Sequence, residues 1–367
     1  MNSKLTRNLG LDCLRICAIF LVVTMHICTQ GGILDALSYG SANYYCAWVL
    51  ICITYCANNV FALISGYFYD ASDRRAGTKV LSIWVQLLFY TIGISALFFF
   101  IDSSNITANN ILKALTPITS RQYWYISCYV GLLFIKPLLD HFLDGLQGER
   151  LHLAAGTVLI VFSVLPTLRH TDPFGMNDGW SVAWLGMMYF IGGYLKKTKL
   201  PESISKGKAV LGFILSVMIA ASSKFFIEAI VSGITGGERI AGGGYLISLT
   251  SPVIIAEAVL LLSFFEKVTV SEPKKKIVTL LSDASLGVYI IHQHPFIKHF
   301  IISDRFIDLA DKSVVVLICG IILSAAAVFS CSAIVDIFRG WLFRKLCVNE
   351  KIKQFCSRFP YENLPKQ

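Results

Sequence analysis

Residues 11–30 read LDCLRICAIFLVVTMHICTQ, twenty residues in which Asp12 and Arg15 are the fixed charges. That is the length a helix needs to cross the hydrocarbon of a bilayer, about 20 residues at about 1.5 Å of rise each. No small-residue cleavage pattern follows, so the run is expected to stay as a span and not to be removed as a signal peptide. Further apolar runs over 42–69, 80–101, 123–142, 151–169, 181–195, 208–233, 245–265, 277–298 and 313–338 are separated by polar or charged stretches. With 55% hydrophobic and 15% charged residues in 367, and a mean hydropathy of +0.64, the chain is too apolar for a soluble domain. The expected fold is all-α, a polytopic integral membrane helix bundle of about ten spans, with a transmembrane domain over 1–345 and a basic cytoplasmic tail over 346–367.

Basic residues accumulate in cytoplasmic loops. Placing the N-terminus inside puts 23 of the 32 Lys and Arg residues on that side, Lys4, Lys136, Arg339 and Lys366 among them, against seven, including Arg121 and Arg239, on the other. The bias predicts an even number of spans with both termini in the cytoplasm. The net charge of +9 then faces an anionic leaflet, and no nucleic acid partner is implied. The eleven cysteines sit mostly in apolar runs, where Cys13/Cys17 and Cys52/Cys56 share helix faces, so they read as packing residues and not as a disulfide framework or a zinc site. Gly236, Gly237, Gly242, Gly243 and Gly244 lack the strand-to-helix context of a phosphate loop and read as a flexible linker.

Ionisable groups inside a span are costly, so each calls for a functional reading and a structural rival. Arg15 and His26 are eleven residues apart, about 20° past three helical turns and roughly 16 Å of rise, on one face at two depths. Asp12, three residues before Arg15, can pair with its guanidinium. Singly, Arg15 reads equally as an interface anchor and His26 as an interhelical hydrogen bond. Together they suit a polyanion held at the cytoplasmic mouth and an acid–base group one long thioester arm away, the shape of coenzyme A.

The first span, with Asp12, Arg15 and His26, resembles the signature of the membrane acyltransferase-3 family. NNVFALISGYF is similar to that family's Ser-Gly element, here Ser65 and Gly66. YWYISCYVGLLFIKPLL is similar to its Trp-Tyr segment, here Trp124 and Tyr125, and LGVYIIHQHP to its Tyr-x-x-His element, here Tyr289 and His292. These elements come in family order across most of the chain. The resemblance implies a bacterial inner-membrane, multi-pass O-acyltransferase that moves an acyl group, expected to be acetyl, from cytoplasmic acyl-CoA to a hydroxyl of an envelope polysaccharide or lipid-linked sugar. His26 is then the acid–base residue, Arg15 a donor-holding group and Asp12 its partner. The family's Arg-x-x-Arg pair at the third span is replaced here by Arg74, Arg75 and Lys79, and lysine offers a point charge instead of a planar fork. Acyl-CoA is the expected donor substrate, with no resident cofactor and no metal.

A neutral imidazole at His26 would take the proton of a sugar hydroxyl as it attacks the thioester, or else carry the acyl group itself. Ser65 as acyl acceptor is the weaker reading beside close packing by Ser65 and Gly66. Trp124, Tyr125, Tyr289, His292 and Glu257 are candidates for the acceptor path, and His292 is expected to share a cavity with His26. His292, His294 and His299 show no metal-ligand spacing. Lys224 and Glu228, four apart, read as a neutralising pair, and the loop TDPFGMNDGWS, with Asp172, Asp178 and Trp180, reads as solvated although its residue types suit carbohydrate. The rival function is a transporter or exporter of an acyl or sugar compound, whose buried charges would form a pathway; the lack of inverted-half symmetry counts against it.

Overall fold

The computed structural model describes residues 7–70, 75–101, 107–237 and 243–358, and among them the regular structure is entirely helical. Arg74 and Gly242, with Lys4, Arg239 and Lys366, lie outside the described residues. Helix α1 (Leu9–Thr29) opens where the Asn8 side chain accepts from the Leu11 amide at 3.1 Å, satisfying one of the amides a helix start leaves unpaired. There follow α2 (Ala42–Tyr55), α3 (Ala57–Tyr67), α4 (Ala76–Ile101), α5 (Trp124–Gly145) and α6 (Gly148–Leu159), which continues through a π turn to Arg169. Then come α7 (Val182–Thr198), α8 (Lys206–Ile234), α9 (Pro252–Phe265), α10 (Glu272–His292), α11 (Val314–Lys345) and α12 (Val348–Cys356). Ser41, Ser181 and Ser205 cap α2, α7 and α8 through their hydroxyls.

Among the described residues seven segments are long and apolar enough to cross a membrane: Leu9–Ala36, Ala42–Tyr67, Ala76–Ile101, Trp124–Gly145, Gly148–Arg169, Lys206–Ile234 and Val314–Lys345. The other three expected spans fall on α7, α9 and α10. The run 245–265 becomes helical only at Pro252, because Ser251 caps and the proline occupies the first helical position. The run 277–298 is shifted: α10 starts at Glu272 and stops at His292, ahead of Pro295. Lys136 is not a loop charge. It lies inside α5, buried and ion-paired with Asp140 one turn on, which also accepts from the Tyr189 hydroxyl. Arg339 likewise belongs to α11.

Helix α1 is the centre of the bundle, packed against α2, α3, α9, α10 and α11. It runs parallel to α10, since Asp12 meets Ser282 at one end while His26 meets His292 at the other. Lipid offers no hydrophobic force between helices, so association rests on close backbone packing and interhelical hydrogen bonds. At the α3–α7 crossing a Cβ on Gly66 would stand 1.8 Å from the Tyr189 carbonyl oxygen, and one on Gly192 would stand 2.2 Å from that of Leu63. Only glycine fits there, which is the packing role expected of Gly66. The break between α2 and α3 is sealed by neighbours: Tyr125 donates to the Asn58 carbonyl at 3.2 Å, Asn59 donates to the Leu249 carbonyl at 2.8 Å, and Trp184 donates to Asn59 at 2.9 Å.

Lys224 and Glu228 pair at 2.5 Å as the spacing predicts. Tyr44 donates to the same carboxylate at 2.9 Å and the Lys224 ammonium sits 3.4 Å from the centre of a Trp48 ring, which ties α8 to α2. All eleven cysteines are free thiols.

Candidate active site

A cavity of about 320 Å³ is framed by α1, α3, α4, α5 and α10. Its wall on α1 is Arg15, Ile19 and Val22, at steps of four and three, so that one helix face points inward. Facing it are Asn58, Phe61 and Ser65 of α3, Ile83 of α4, Tyr125, Ile126 and Tyr129 of α5, and Ser282, Asp283, Ser285, Leu286 and Tyr289 of α10.

At the Arg15 end, the wholly buried Asp12 carboxylate accepts from Arg15 at 2.8 Å, from Ser282 at 2.8 Å and from the Arg7 guanidinium, which also reaches Asp283 at 2.8 Å. A carboxylate taken out of water needs such compensation, and in turn it fixes the direction of Arg15. The Arg15 side chain remains about one-third exposed, over the Phe68 ring at 5.5 Å, so its remaining donors are open to an anion. Burial disfavours the Arg7 cation, but its bonds to Asp12 and Asp283 outweigh that and raise its pKa above the ordinary arginine value.

One turn beyond Val22 and close to Tyr289, His26 and His292 meet, with Nδ1 of His26 2.9 Å from Nε2 of His292. The Nδ1 of His292 lies 2.6 Å from the Val288 carbonyl oxygen, so it carries the proton and donates. Its Nε2 is then an acceptor, which requires His26 to donate from Nδ1 and leaves the Nε2 of His26 with a free lone pair. Gln293 stands 2.9 Å from the same His26 nitrogen and pairs with Gln30 at 3.0 and 3.2 Å. Amide oxygen and nitrogen can be exchanged in both glutamines, and with the Gln293 oxygen toward His26 each donor of the group meets an acceptor. Neither histidine is part of the cavity wall. Tyr289, with its ring centre 5.9 Å from that of His292 and 6.4 Å from that of Tyr125, stands between the cavity and the imidazole pair.

The remaining sequence candidates are spread more widely. Arg75 is exposed just ahead of α4, and Lys79 lies one turn before Ile83 of the cavity wall; neither side chain lines the cavity. Trp124 faces away from it and packs on Trp180 with ring centres 4.3 Å apart. Glu257 is fully buried in α9, beside the Cys56 thiol and outside the wall of this cavity. Ser65 lines the cavity but bonds back to the Phe61 carbonyl at 2.9 Å. The three histidines weighed as a metal set diverge, since His294 accepts from the Phe296 amide and His299 lies edge-on to Phe300.

Sequence reasoning passed over Arg7, Ser282, Asp283, Ser285 and Gln293. The signal was available in α10, where Ser282, Ser285, Tyr289 and His292 follow steps of three, four and three on one face. Also passed over was a buried cluster behind that helix. Asp336 accepts from Gln86 at 3.0 Å, Tyr90 at 2.7 Å and Arg339 at 2.9 and 3.0 Å, in space left by the missing side chain of Gly287.

No curated protein and no solved structure matches the chain. The acyltransferase-3 family model, described as an acyltransferase domain, matches residues 8–334, from the Asn8 cap into the second half of α11. With a match over that length, carrying both the Arg15 cavity and the His26–His292 pair, the chain belongs to the acyltransferase-3 family and is a membrane acyltransferase.

Proposed function

We propose that the chain is an O-acetyltransferase of the bacterial cytoplasmic membrane, with ten spans and both termini inside, which moves acetyl from cytoplasmic acetyl-CoA to a hydroxyl of an envelope polysaccharide or lipid-linked sugar. The observation that supports this best is the sequence of groups along the parallel α1 and α10: the Asp12-braced Arg15, a largely apolar cavity, Tyr289, and then the imidazole pair. Arg15 meets the donor phosphates, with Arg75 and Lys79 adding positive charge ahead of and within the first turn of α4. The thioester arm lies along Ile19, Val22 and Leu286, spanning the roughly 16 Å of rise between Arg15 and His26.

The acceptor hydroxyl enters beside His26 and attacks the thioester carbonyl carbon while the Nε2 of His26 takes its proton. The bond from Nδ1 to His292 orients the ring and stabilises the imidazolium that forms. Collapse of the tetrahedral intermediate breaks the carbon–sulfur bond, and the thiolate takes the proton back from His26. The ester and free coenzyme A leave, and His26 is neutral again.

The test is transfer from acetyl-CoA labelled in its acetyl group, by purified protein in vesicles supplied with envelope glycan extract, for wild type, His26→Ala and Arg15→Ala. Transfer is lost in both variants, and acetyl-CoA binding is weakened chiefly in Arg15→Ala. A folded wild-type protein that neither binds nor turns over acyl-CoA across several donors and extracts overturns the proposal in favour of transport.

A further inference from the structure

At the end of the bundle away from Arg15 lies a second cavity, of about 360 Å³, walled by the break at the end of α2 and by the loops after α6 and before α9. Its side chains include Tyr55, His170, Asp178, Trp180, Tyr245 and Thr250. The loop after α6, which carries His170, Asp178 and Trp180, is built and not merely solvated. Asp172 accepts from the amides of Met176 at 2.8 Å and Asn177 at 2.6 Å, which holds Asn177, Asp178 and Gly179 at φ of 52°, 50° and 94°. Left-handed backbone at two successive residues with side chains is strain that the surrounding bonds must hold in place, and such strain concentrates at functional positions. A Cβ on Gly179 would stand 2.4 Å from that of Leu249, so the loop is also pinned to the segment before α9.

The result is a cavity with aromatic faces and uncommitted polar atoms. Trp180 is 39% exposed, and Asp178, with Asp172 spent on the loop, makes no hydrogen bond or ion pair among the described residues. His170 stacks on Tyr245 with ring centres 5.4 Å apart, and the Tyr245 hydroxyl is fixed to the Leu168 carbonyl at 2.9 Å. The cavity also abuts the first one. Tyr55 lines it and Asn58, three residues on, lines the other; Trp180 packs on Trp124, whose neighbour Tyr125 forms the wall of the other beside Tyr289. From Trp180 the ring contacts run through Trp124, Tyr125 and Tyr289 to the imidazole pair.

We propose that this cavity is the glycosyl subsite of the acceptor, binding a neutral pyranose whose C–H face lies on Trp180 and whose hydroxyls donate to the Asp178 carboxylate. A flat amphipathic ring beside an unpaired acceptor suits a molecule with an apolar face and a hydroxyl edge. The assignment rests on the acetyltransferase reading for the direction of transfer, but it is tested independently of it.

The experiment is saturation-transfer NMR with methyl α-glucoside, methyl α-galactoside and methyl N-acetyl-β-glucosaminide as probes, on the full chain in nanodiscs, with acetyl-CoA binding and turnover measured on the same samples. At least one glycoside binds the wild type, Trp180→Ala raises its Kd at least tenfold, as loss of a buried aromatic anchor does, and Asp178→Asn, which keeps shape and fold, raises it several-fold. Glycoside binding through Trp180 without acetyl-CoA turnover upholds the cavity as a glycoside site and removes acetyl-CoA as the donor. Acetyl-CoA turnover with no glycoside binding, or with binding indifferent to both substitutions, removes the subsite and leaves the donor chemistry standing.

Discussion

Replacing His292 by alanine removes one of the two acceptors that stand 2.9 Å from Nδ1 of His26, leaving the Gln293 amide oxygen as the other, and does not touch Arg15 at the far end of the cavity. In the proposed reaction the bond to His292 strengthens as His26 becomes cationic, and a hydrogen bond to a charged group is worth about 1.5–3 kcal/mol. At about 1.4 kcal/mol per factor of ten, kcat for acetyl transfer falls about 10- to 150-fold while KM for acetyl-CoA stays within about twofold. His292→Gln places an amide oxygen where the ring nitrogen stood, and it returns most of the loss. The assay is labelled acetyl transfer in vesicles at saturating donor, with thermal melts of both variants to remove the contribution of the emptied space, since His292 is fully buried. A His292→Ala enzyme with kcat within twofold of wild type, or a His292→Gln enzyme no better than the alanine variant, refutes the orienting role.

Asp12→Ala frees Arg15 and Ser282 and leaves Arg7 with Asp283 alone, so KM for acetyl-CoA rises about tenfold or more and becomes less sensitive to salt; an unchanged KM would show that Arg15 needs no brace. Gly66→Ala drives a Cβ into the Tyr189 carbonyl and lowers stability by about 1–3 kcal/mol, whereas Gly93→Ala, with open space beside it in α4, leaves the melt unchanged or raises it; equal melts for the two would refute the close crossing. Lys224→Met strands the buried Glu228 carboxylate, leaving Tyr44 as its hydrogen-bond donor among the described residues, and costs about 3–5 kcal/mol, and adding Glu228→Gln recovers most of that in the same melt; no recovery would mean that Lys224 acts through packing alone. Tyr289→Ala removes the ring between the cavity and the imidazole pair and raises acetyl-CoA hydrolysis relative to transfer, measured as free acetate against acetyl-glycan; an unchanged ratio would deny Tyr289 a role in excluding water.

The apolar runs made the all-helical membrane bundle legible because a lipid-facing helix writes its length directly into composition. What misplaced α9 and α10 was local: Ser251–Pro252 and Pro295 are start and stop signals inside runs that hydropathy alone joins to their flanks. Lys136 was assigned to a loop because a charge at the end of an apolar run looks interfacial, and only the helix spacing to Asp140 shows its partner. Within the site, Asp12, Arg15 and His26 shared a periodicity on one helix and could be read together. His292 and Arg15 lie on different helices, so the sequence held both residues but not their distances. Arg7 and Asp283 were hidden for the same reason, as a contact across 276 positions has no local pattern.

The Arg15 cavity has Arg15, Ser282 and Asp283 toward one end and Tyr125 and Tyr289 toward the other, and its wall is mostly apolar, with Ile19, Val22, Phe61, Ile83 and Leu286 beside the polar Asn58, Ser65, Tyr129 and Ser285. A largely apolar bore of this kind suits the extended arm of the proposed donor, so in that reaction the thioester meets its nucleophile only past Tyr289. His26 and His292 complete each other's hydrogen bonds there, which allows a base with a free lone pair to be held ready outside the bore. The parallel course of α1 and α10 is what makes this division possible. Arg15 and Ser282 meet Asp12 on one side and His26 meets His292 on the other, so in the proposed reaction the same pair of backbones sets the distance from donor phosphate to base, and a shift of either helix by one turn, about 5.4 Å, would break both contacts together.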